Sequence, residues 1–372
     1  MIYLDHAATS FPKPPEVLAA MQRWFTEVGV GADRGDGPRT RLAAETVEGA
    51  RRAVAATLGV EPAHVAFVSG ATEGLNLALR AVLRRGMRVV TTSFEHSSVV
   101  RPLLALADER DLSIARADDE VAPAEAEAAL LDAAGHAPAD VLVFTHASNV
   151  TGACFDARAV CALARARGVT TVLDASQTAG LVPLDVGADV VVASGHKALH
   201  GPPGIGFVAA RDPRLLPPQK QGGTGSSRAL ERHPVEWPQA FEAGTPNTPA
   251  IFGLGAALAW VAAQDPAALL AQGLAALDRL TAGLASLPGV RLLPPGAGAR
   301  VPVASFVHAQ YDPLELGSVL AGAGVHARTG FHCAPWVHGR LGTDKGGTVR
   351  ISPGPATGDA EIDAFLDVVR SL

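Results

Sequence analysis

Short runs of β-branched and apolar residues alternate with longer segments of helical period between residues 15 and 210. The apolar and β-branched residues in each run are consecutive rather than alternating with polar ones, which is typical of strands that are buried on both faces of a sheet. Helices between such strands cover both faces, so the pattern predicts an α/β fold with a mostly parallel sheet. The runs are 65–68, 88–92, 141–144, 170–173 and 189–193.

The pattern changes after residue 210. A stretch rich in Gly and Pro, 217–249, is followed by a long helical pattern over 251–287. Shorter strand-like pieces and a terminal helix from Asp359 complete the chain, and 372 residues are enough for two domains. We therefore expect a large domain over 15–250 and a smaller α+β domain formed by 1–14 and 251–372. The strand-like pieces are 290–293, 303–307 and 348–351.

The composition excludes several classes of protein. With 48% hydrophobic and 18% charged residues, the chain is not intrinsically disordered. Its net charge of -6 and scattered arginines argue against nucleic acid or an anionic membrane as a partner. The longest apolar run, 251–263, is shorter than the roughly 18 residues of a membrane span. Small molecules are the expected partners.

The three cysteines indicate a reducing environment. Cys154, Cys161 and Cys333 are too few for a disulfide framework, and their spacing fits no structural zinc site. The N-terminal residues do not resemble a signal peptide. We therefore expect a soluble, cytoplasmic protein without a metal site.

Polar residues follow each of the five predicted strands. In open α/β sheets, ligands bind at the carboxyl ends of the strands, so these residues are candidates for a binding site. They include groups that bind phosphate, accept protons and supply an amine. The clusters are 69–73, 95–98, 146–149, 174–177 and 194–197.

The chain has only four lysines, so any amine chemistry has few candidates. Lys13 lies between prolines, Lys220 follows two prolines, and Lys345 lies in a turn-like segment. Lys197 alone follows a predicted buried strand, where an amine is costly unless it is paired or covalently modified. The alternative is a lysine that reaches solvent from a loop.

The other strand ends supply what pyridoxal phosphate needs beside an amine. Asp174 is placed to face the pyridine nitrogen, although an Asp after a strand is also a common helix N-cap. The loop of Ser69 to Thr72 opens a predicted helix and can present N–H groups to a phosphate, as many ordinary βα turns do. His96 is placed to lie on the ring or to move a proton, although a histidine there is often structural.

Seven motifs occur in the order found in class V aminotransferases, and the last is similar to the branch of cysteine desulfurases and selenocysteine lyases. The resemblance extends from Tyr3 to the region of Arg350, which is essentially the whole chain. The motifs are Ser69-Gly-Ala-Thr-Glu-Gly-Leu-Asn, Phe94-Glu-His-Ser-Ser, Ser148-Asn-Val-Thr-Gly, Asp174-Ala-Ser-Gln, Ser194-Gly-His-Lys, Glu242-Ala-Gly-Thr-Pro-Asn and Arg328-Thr-Gly-Phe-His-Cys-Ala-Pro.

The resemblance implies a fold-type I enzyme with a mostly parallel, seven-stranded sheet. It also implies a homodimer with the active site at the subunit interface. Lys197 would bind pyridoxal 5′-phosphate covalently, Asp174 would face the ring nitrogen, and His96 would stack on the ring as acid and base. The ring oxygen would be bound by Gln177 and Asn149, and the phosphate by Ala71, Thr72, Ser194, His196 and Thr245 of the other subunit.

The resemblance also implies a reaction. Arg350 would bind the substrate carboxylate, with Arg328 and Asn149 in the same pocket. Cys333 would attack the sulfur of L-cysteine and keep it as a persulfide while L-alanine is released. An attacking thiolate requires an exposed, electropositive position, which we expect near Arg328 and His332. A sulfur-acceptor protein would then be a partner.

Several alternatives remain open. A C–S lyase, a selenocysteine lyase or an aminotransferase on the same fold would share most of these residues, and a nucleotide-binding protein would use the 69–73 loop alone. Cys154 and Cys161 are expected to be structural. Two residues depart from the family pattern, His6 where Asn is usual and Phe331 where His or Leu is common.

Overall fold

The computed structural model describes residues 1–32, 35–224, 231–296 and 298–372. Residues 225–230 of the Gly- and Pro-rich stretch lie outside the described residues. The strands are β1 (Ile2–Tyr3), β2 (Val65–Val68), β3 (Arg88–Thr91), β4 (Ser113–Arg116), β5 (Val141–Thr145), β6 (Ala153–Cys154), β7 (Thr170–Asp174), β8 (Val190–Ser194), β9 (Gly206–Ala210), β10 (Val290–Leu292), β11 (Ala299–Arg300), β12 (Ala304–His308), β13 (Val325–His326), β14 (Arg328–Gly330) and β15 (Thr348–Ile351). The helices are α1 (Pro15–Arg23), α2 (Pro38–Leu58), α3 (Ala71–Val82), α4 (Ser97–Arg110), α5 (Ala126–His136), α6 (Ala157–Ala166), α7 (Thr248–Gln264), α8 (Pro266–Ala285), α9 (Pro313–Gly322), α10 (Val337–Leu341) and α11 (Asp359–Arg370).

A seven-stranded sheet in the order β2-β9-β8-β7-β5-β3-β4 forms the centre of the larger part of the molecule. Strand β9 is antiparallel to both of its neighbours, and the remaining pairs are parallel, as predicted. The apolar-run criterion missed β4 and β9. In β4 exposed and half-buried residues alternate, because it is an edge strand.

Two apolar layers cover the sheet. In β5, Leu142 and Phe144 join one core cluster, while Val141 and Val143 join the cluster on the opposite face. All four side chains are buried. Helices on both faces therefore explain why the strand sequences are apolar throughout rather than alternating.

The helical pattern over 251–287 forms two helices rather than one, so that expectation is wrong in detail. Helices α7 and α8 meet at a bend of 79°. Asp265 has a φ of 62° and its side chain caps Ala267, and Pro266 starts α8. Proline removes a backbone donor, which suits the first turn of a new helix.

Helix α7 packs on α1 and α2, while α8 packs on α11 beside the smaller sheet. Among the described residues no single helix has the length and apolar character to cross a membrane, although α7 and α8 together meet those two criteria as a bent pair. The predicted boundary at residue 250 stays a prediction.

A four-stranded antiparallel sheet in the order β10-β12-β15-β14 forms the smaller α+β unit. The N-terminal strand β1 pairs with β13, so the start of the chain adds to this unit. In the register of β14 and β15, Arg328 lies directly opposite Arg350. Both arginines therefore lie side by side on neighbouring strands of the small sheet.

Candidate active site

The two sheets meet at a cavity of about 200 Å³. The carboxyl ends of β5, β7 and β8 and the start of α3 line one side, and the two arginines of the small sheet line another. Eleven of the predicted site residues meet here, and only Cys333 and Thr245 of the predicted set do not line the cavity. The predicted residues that do are Ala71, Thr72, His96, Asn149, Asp174, Gln177, Ser194, His196, Lys197, Arg328 and Arg350.

Lys197 follows β8 by three residues and reaches the cavity. The residue as a whole is half-buried and lines the cavity, while its amine is enclosed by protein atoms. Burial lowers the pKa of Lys197 from 10.5 to about 8, with Asp174 opposing the shift and the two arginines adding to it. A larger fraction of this amine than of an ordinary lysine is therefore unprotonated near neutral pH, which a nucleophile or base requires.

Asp174 is the last residue of β7 and is buried in the cavity wall. A turn rather than a helix follows it, so the alternative role as a helix N-cap does not apply. Its Oδ1 accepts a hydrogen bond from the backbone N–H of Ser176 at 2.9 Å, which fixes the carboxylate. The Oγ of Ser176, also in the cavity wall, is buried and has no partner among the described residues.

Gln177 is held from the same turn, where its Nε2 donates to the backbone oxygen of Ala7 at 3.1 Å. The turn lies against the loop that carries Lys197. At Gly180, with a φ of 93°, a Cβ would come within 2.6 Å of the Ala198 carbonyl oxygen. Glycine therefore permits both a conformation that other residues disfavour and this close approach.

The start of α3 forms a polar pocket of the kind that binds anions. The N–H of Ala71 donates to the Oγ of Ser194 at 3.1 Å, and the hydroxyls of Thr72 and Ser98 lie 2.7 Å apart. Burial, and then the charge of Lys197, lowers the pKa of His196 to about 4. The neutral histidine, the hydroxyls and the helix N-terminus can together bind a phosphate.

His96 is the N-cap of α4, and its Nδ1 accepts a hydrogen bond from the Ser98 N–H at 3.0 Å. Burial is the largest cause that lowers the pKa of His96 to about 4, and Lys197 is the next. Because Nδ1 accepts, the neutral ring carries its hydrogen on Nε2 and presents a donor there. The acid and base role of His96 stays a prediction.

Arg350 is buried at the cavity, on the central strand β15 of the small sheet. Its Nη2 donates to Asp5 Oδ1 at 2.5 Å, and its Nη1 donates to the backbone oxygen of Asn149 at 3.1 Å. Its Nε has no partner among the described residues. A buried cation with an unpaired N–H favours an anionic ligand, and Arg328 adds a second guanidinium to the same wall.

Cys333 is exposed, and the Nη2 of Arg328 lies 3.4 Å from its Sγ. Cys333 and His332 have φ values of 58° and 49°, in a region that few residues other than glycine adopt. Two contacts hold this backbone: Asn149 Nδ2 donates to the His332 oxygen at 2.6 Å, and Ser97 N donates to the Cys333 oxygen at 2.7 Å. The thiol is thus fixed beside the cavity.

His332 does not contribute positive charge near Cys333, so that expectation is wrong. The ring is buried, and its Nε2 lies 2.8 Å from the Thr348 hydroxyl. Burial and the nearby Arg350 lower the pKa of His332 to about 2. Arg328 supplies the charge that was expected. The described part of the chain contains no group of three or more His, Cys, Asp or Glu placed to hold a metal.

The other two cysteines are buried, as predicted. Burial raises the pKa of Cys154 to about 12 and that of Cys161 to about 11, so neither is a thiolate at neutral pH. This contrast leaves Cys333 as the accessible thiol.

Thr245 lies outside the cavity that contains Lys197. It is exposed and lines a second cavity of about 260 Å³, together with the ion pair of Lys220 and Glu73. The Nζ of Lys220 lies 2.8 Å from the Glu73 carboxylate. The predicted contact of Thr245 with a phosphate therefore requires a second copy of the chain.

Three residues near the cavity were given no individual role in the sequence analysis. Asp5 binds Arg350, although the two are 345 residues apart. Ser98 links Thr72 to His96. Glu95 is completely buried, and burial is the largest cause that raises its pKa to about 8. Glu95 and Ser98 had a signal in the sequence as members of the polar cluster 95–98, whereas no local pattern indicated Asp5.

The two departures from the family pattern have different surroundings. The His6 ring packs edge-on to Tyr3 and fills the space where a Cβ of Gly354 would lie, and burial lowers its pKa to about 4. Phe331 is 48% exposed and packs edge-on to His338. His6 is therefore part of the packing, while Phe331 borders the solvent near Cys333.

Comparisons with known proteins agree with this geometry. The model of the family described as aminotransferase class-V matches residues 2–365. A probable cysteine desulfurase 1 from Mycobacterium leprae is 33% identical over 100% of this chain and 62% of its own length. A probable cysteine desulfurase from Pyrococcus abyssi is 31% identical over 100% of this chain and 94% of its own length.

A solved structure described as the apo form of cysteine desulfurase from Thermococcus onnurineus NA1 has a TM-score of 0.90. It is 28% identical, and the match covers 100% of this chain and 94% of that one. This likeness confirms the predicted fold-type I class. The chain belongs to the class-V aminotransferase family. It spans less than two thirds of the Mycobacterium leprae relative.

Proposed function

We propose that this protein is a pyridoxal phosphate-dependent cysteine desulfurase, which converts L-cysteine to L-alanine and keeps the sulfur as a persulfide on Cys333. The observation that carries the proposal is the position of the exposed Cys333 thiol. It contacts Arg328, whose guanidinium lines the same cavity as Lys197. A Cys333 thiolate would also lie near enough to Lys197 to raise its pKa.

The residues of the cavity fit pyridoxal phosphate. Lys197 would bind the cofactor covalently, Asp174 would face the ring nitrogen, and His96 would stack on the ring. The unpartnered Ser176 hydroxyl and the donors at the start of α3 support a polar, anionic ligand. When bound, the cofactor supplies an electron-withdrawing ring that stabilises negative charge at the Cα of an amino acid. Gln177 and Asn149 would bind the ring oxygen, and Ala71, Thr72, Ser194 and His196 would bind the phosphate.

The arginines would hold the substrate. Arg350 offers its free Nε to the L-cysteine carboxylate, and Arg328 adds charge from the opposite residue of β14. Asp5 binds the far end of the Arg350 guanidinium and fixes its plane. A carboxylate bound there would place the amino acid between the two sheets, with its side chain free to point toward Cys333.

Lys197 and Cys333 would then act in turn. The unprotonated Lys197 amine removes the Cα proton of the substrate. The Cys333 thiolate attacks the substrate sulfur, so that an S–S bond forms as the Cβ–S bond breaks and its electron pair stays on carbon. That carbon takes up a proton, Lys197 returns a proton to Cα, and L-alanine results. The sulfur later passes to an acceptor thiol.

The homodimer belongs to the same proposal. Thr245 is exposed and away from the Lys197 cavity, which is the arrangement expected of a residue that completes the phosphate site of a second copy. A cytoplasmic location and a sulfur-acceptor protein as partner are also proposed, on the basis of the cysteine usage and the persulfide chemistry.

Product analysis tests the proposed activity. The protein is incubated with L-cysteine and, separately, with L-selenocysteine in the presence of a thiol acceptor, and alanine, pyruvate and sulfide or selenide are quantified. We expect alanine and sulfide in equal amounts from cysteine. Pyruvate and ammonia in place of alanine would indicate a C–S lyase and contradict the proposal. Turnover of selenocysteine alone would indicate a selenocysteine lyase instead.

The lowered pKa of Lys197 predicts how cofactor uptake depends on pH. Only the unprotonated amine attacks an aldehyde, so uptake by the apo-protein should rise with pH and level off above about 8. The measurement is the rate at which the visible absorbance appears after pyridoxal phosphate is added, from about pH 7 to about pH 10. A rate that keeps rising toward the ordinary lysine pKa would show that Lys197 is not desolvated.

A further inference from the structure

The backbone oxygen of His196 accepts four hydrogen bonds from the N-terminal segment. The donors are the Ser10 N–H at 3.0 Å, the Thr9 hydroxyl at 3.0 Å, the Ser10 hydroxyl at 3.3 Å and the Lys13 amine at 2.7 Å. A carbonyl oxygen has two lone pairs, so four donors are unusual. This oxygen belongs to the peptide that joins His196 to Lys197.

Lys13 supplies the charged donor of this group. Its ammonium has three hydrogens, and three acceptors surround it: the His196 oxygen, the Ser10 hydroxyl at 2.7 Å and the Thr9 hydroxyl at 3.3 Å. A lysine is therefore fully hydrogen-bonded here without a carboxylate partner. Hydrogen bonds from charged donors are stronger than those between neutral groups.

The peptides on either side of this one are also held. The His200 N–H donates to the Lys197 oxygen at 2.8 Å, and the Gly201 N–H donates to the Gly195 oxygen at 2.8 Å. These contacts close a tight loop around Lys197. Together with the N-terminal segment, they hold the backbone on both sides of Lys197, and this backbone orients the Lys197 side chain.

The titratable groups around Lys13 are consistent with a positive charge on its amine. His6, His196 and His200 are close enough for Lys13 to lower their pKa values, although burial is the larger cause, and each pKa is about 4. All three are neutral at physiological pH. Burial also lowers the pKa of Lys13 to about 8, so most of the amine stays protonated near neutral pH.

We propose that Lys13 is a positioning residue for Lys197, and that it acts by holding the His196 carbonyl from behind the cavity. Lys13 itself is not among the residues that line the cavity, and it contacts the cavity residue His196 only at its backbone oxygen. Its role is to set where the Lys197 amine lies. The inference rests on the proposed function only in taking Lys197 as the reactive amine.

The test compares three variants. Lys13→Met has a side chain of similar length without a donor, and Lys13→Arg keeps the charge and the donors. Lys345→Met is the matched control, because Lys345 is exposed and does not line the cavity. For each protein, acetylation of Lys197 in the apo form by acetic anhydride is measured by peptide mass spectrometry against an added free amine. Cofactor uptake, kcat and KM for L-cysteine are measured in parallel.

We expect Lys13→Met to change the acetylation rate of Lys197 at least about threefold and to lower kcat about tenfold. KM should change less than about twofold, because the arginine site is intact. Lys13→Arg should restore most of the loss, and Lys345→Met should match the parent. Unchanged acetylation and kcat in folded Lys13→Met would overturn the inference. A fall in stability that Lys13→Arg restores while kcat stays low would overturn it too.

A further variant, Thr9→Val, tests the inference if the Lys13→Met protein does not fold. Thr9→Val removes one donor to the same carbonyl at almost constant volume, and we expect a smaller effect of the same kind, about threefold on kcat. Parent-like acetylation and kcat in Thr9→Val would overturn the inference. A parent protein that takes up no pyridoxal phosphate would contradict the proposed function, whereas the acetylation comparison needs no cofactor.

Discussion

Lys197→Ala is expected to lower the rate of alanine formation from L-cysteine by more than about a thousandfold. The variant loses both the amine that would bind the cofactor and the base that would remove the Cα proton. The other cavity residues do not supply a replacement amine. The measurement is alanine released per protein chain, together with the visible absorbance of the loaded protein.

A second variant separates the Lys197 amine from its positive charge, and a variant of Lys345 serves as a control. Lys197→Arg keeps a positive charge beside Asp174 but has no nucleophilic amine at neutral pH, so we expect it to be as inactive as Lys197→Ala. Lys345→Ala should retain full activity, because Lys345 is exposed outside the cavity. Substantial alanine formation by Lys197→Arg would show that the reaction does not depend on this amine.

Cys333→Ala is expected to lower alanine formation more than about a hundredfold and to abolish the persulfide. Cofactor uptake should be unchanged, because Cys333 does not line the cavity. Alanine formation and the persulfide should be lost because Cys333, beside Arg328, is exposed, whereas the other two cysteines in the described part of the chain are buried. The measurements are alanine yield and the persulfide content of the intact protein.

Cys161→Ala is the matched control. Cys161 is buried in the core, so its loss should affect stability slightly and sulfur transfer not at all. Cys333→Ser tests whether the thiol itself is needed, since a hydroxyl of similar size is a much weaker acceptor of sulfur. If Cys333→Ala kept the alanine rate of the parent, the protein would be a lyase or would use another sulfur acceptor.

Much of the cavity was predicted because its residues follow strands. Asp174, Ser194 and Lys197 lie at or just after the ends of β7 and β8, where short-range patterns place polar groups next to apolar runs. The parallel sheet then brings those ends together. Local sequence and the general rule for open α/β sheets were sufficient for this part of the site.

Contacts between distant parts of the chain were not predictable in this way. The pairing of Asp5 with Arg350 and the hydrogen bond from Lys13 to His196 join residues 345 and 183 positions apart. Lys13 was set aside as a residue between prolines, because nothing local shows what its amine meets. The break at Asp265 was also missed, since the apolar pattern continues across it although α7 ends at Gln264 and Pro266 starts α8.

The electrostatic surroundings of Cys333 were predicted in part. Arg328 approaches its sulfur, as expected for an attacking thiolate, but His332 is buried and neutral. The burial of His332 depends on how β15 and the loop pack, and its partner Thr348 lies 16 positions away. A histidine next to a reactive cysteine in the sequence therefore does not establish a charge next to it in space.

A single-turnover reaction tests the proposed desulfurase activity most directly. The loaded protein is mixed with L-cysteine without an added thiol, the reaction is stopped, and alanine is quantified together with the mass of the peptide that contains Cys333. One alanine for each Cys333 that gains the mass of one sulfur atom is the predicted result. Pyruvate without added sulfur on Cys333, or a persulfide on Cys154 or Cys161, would contradict it.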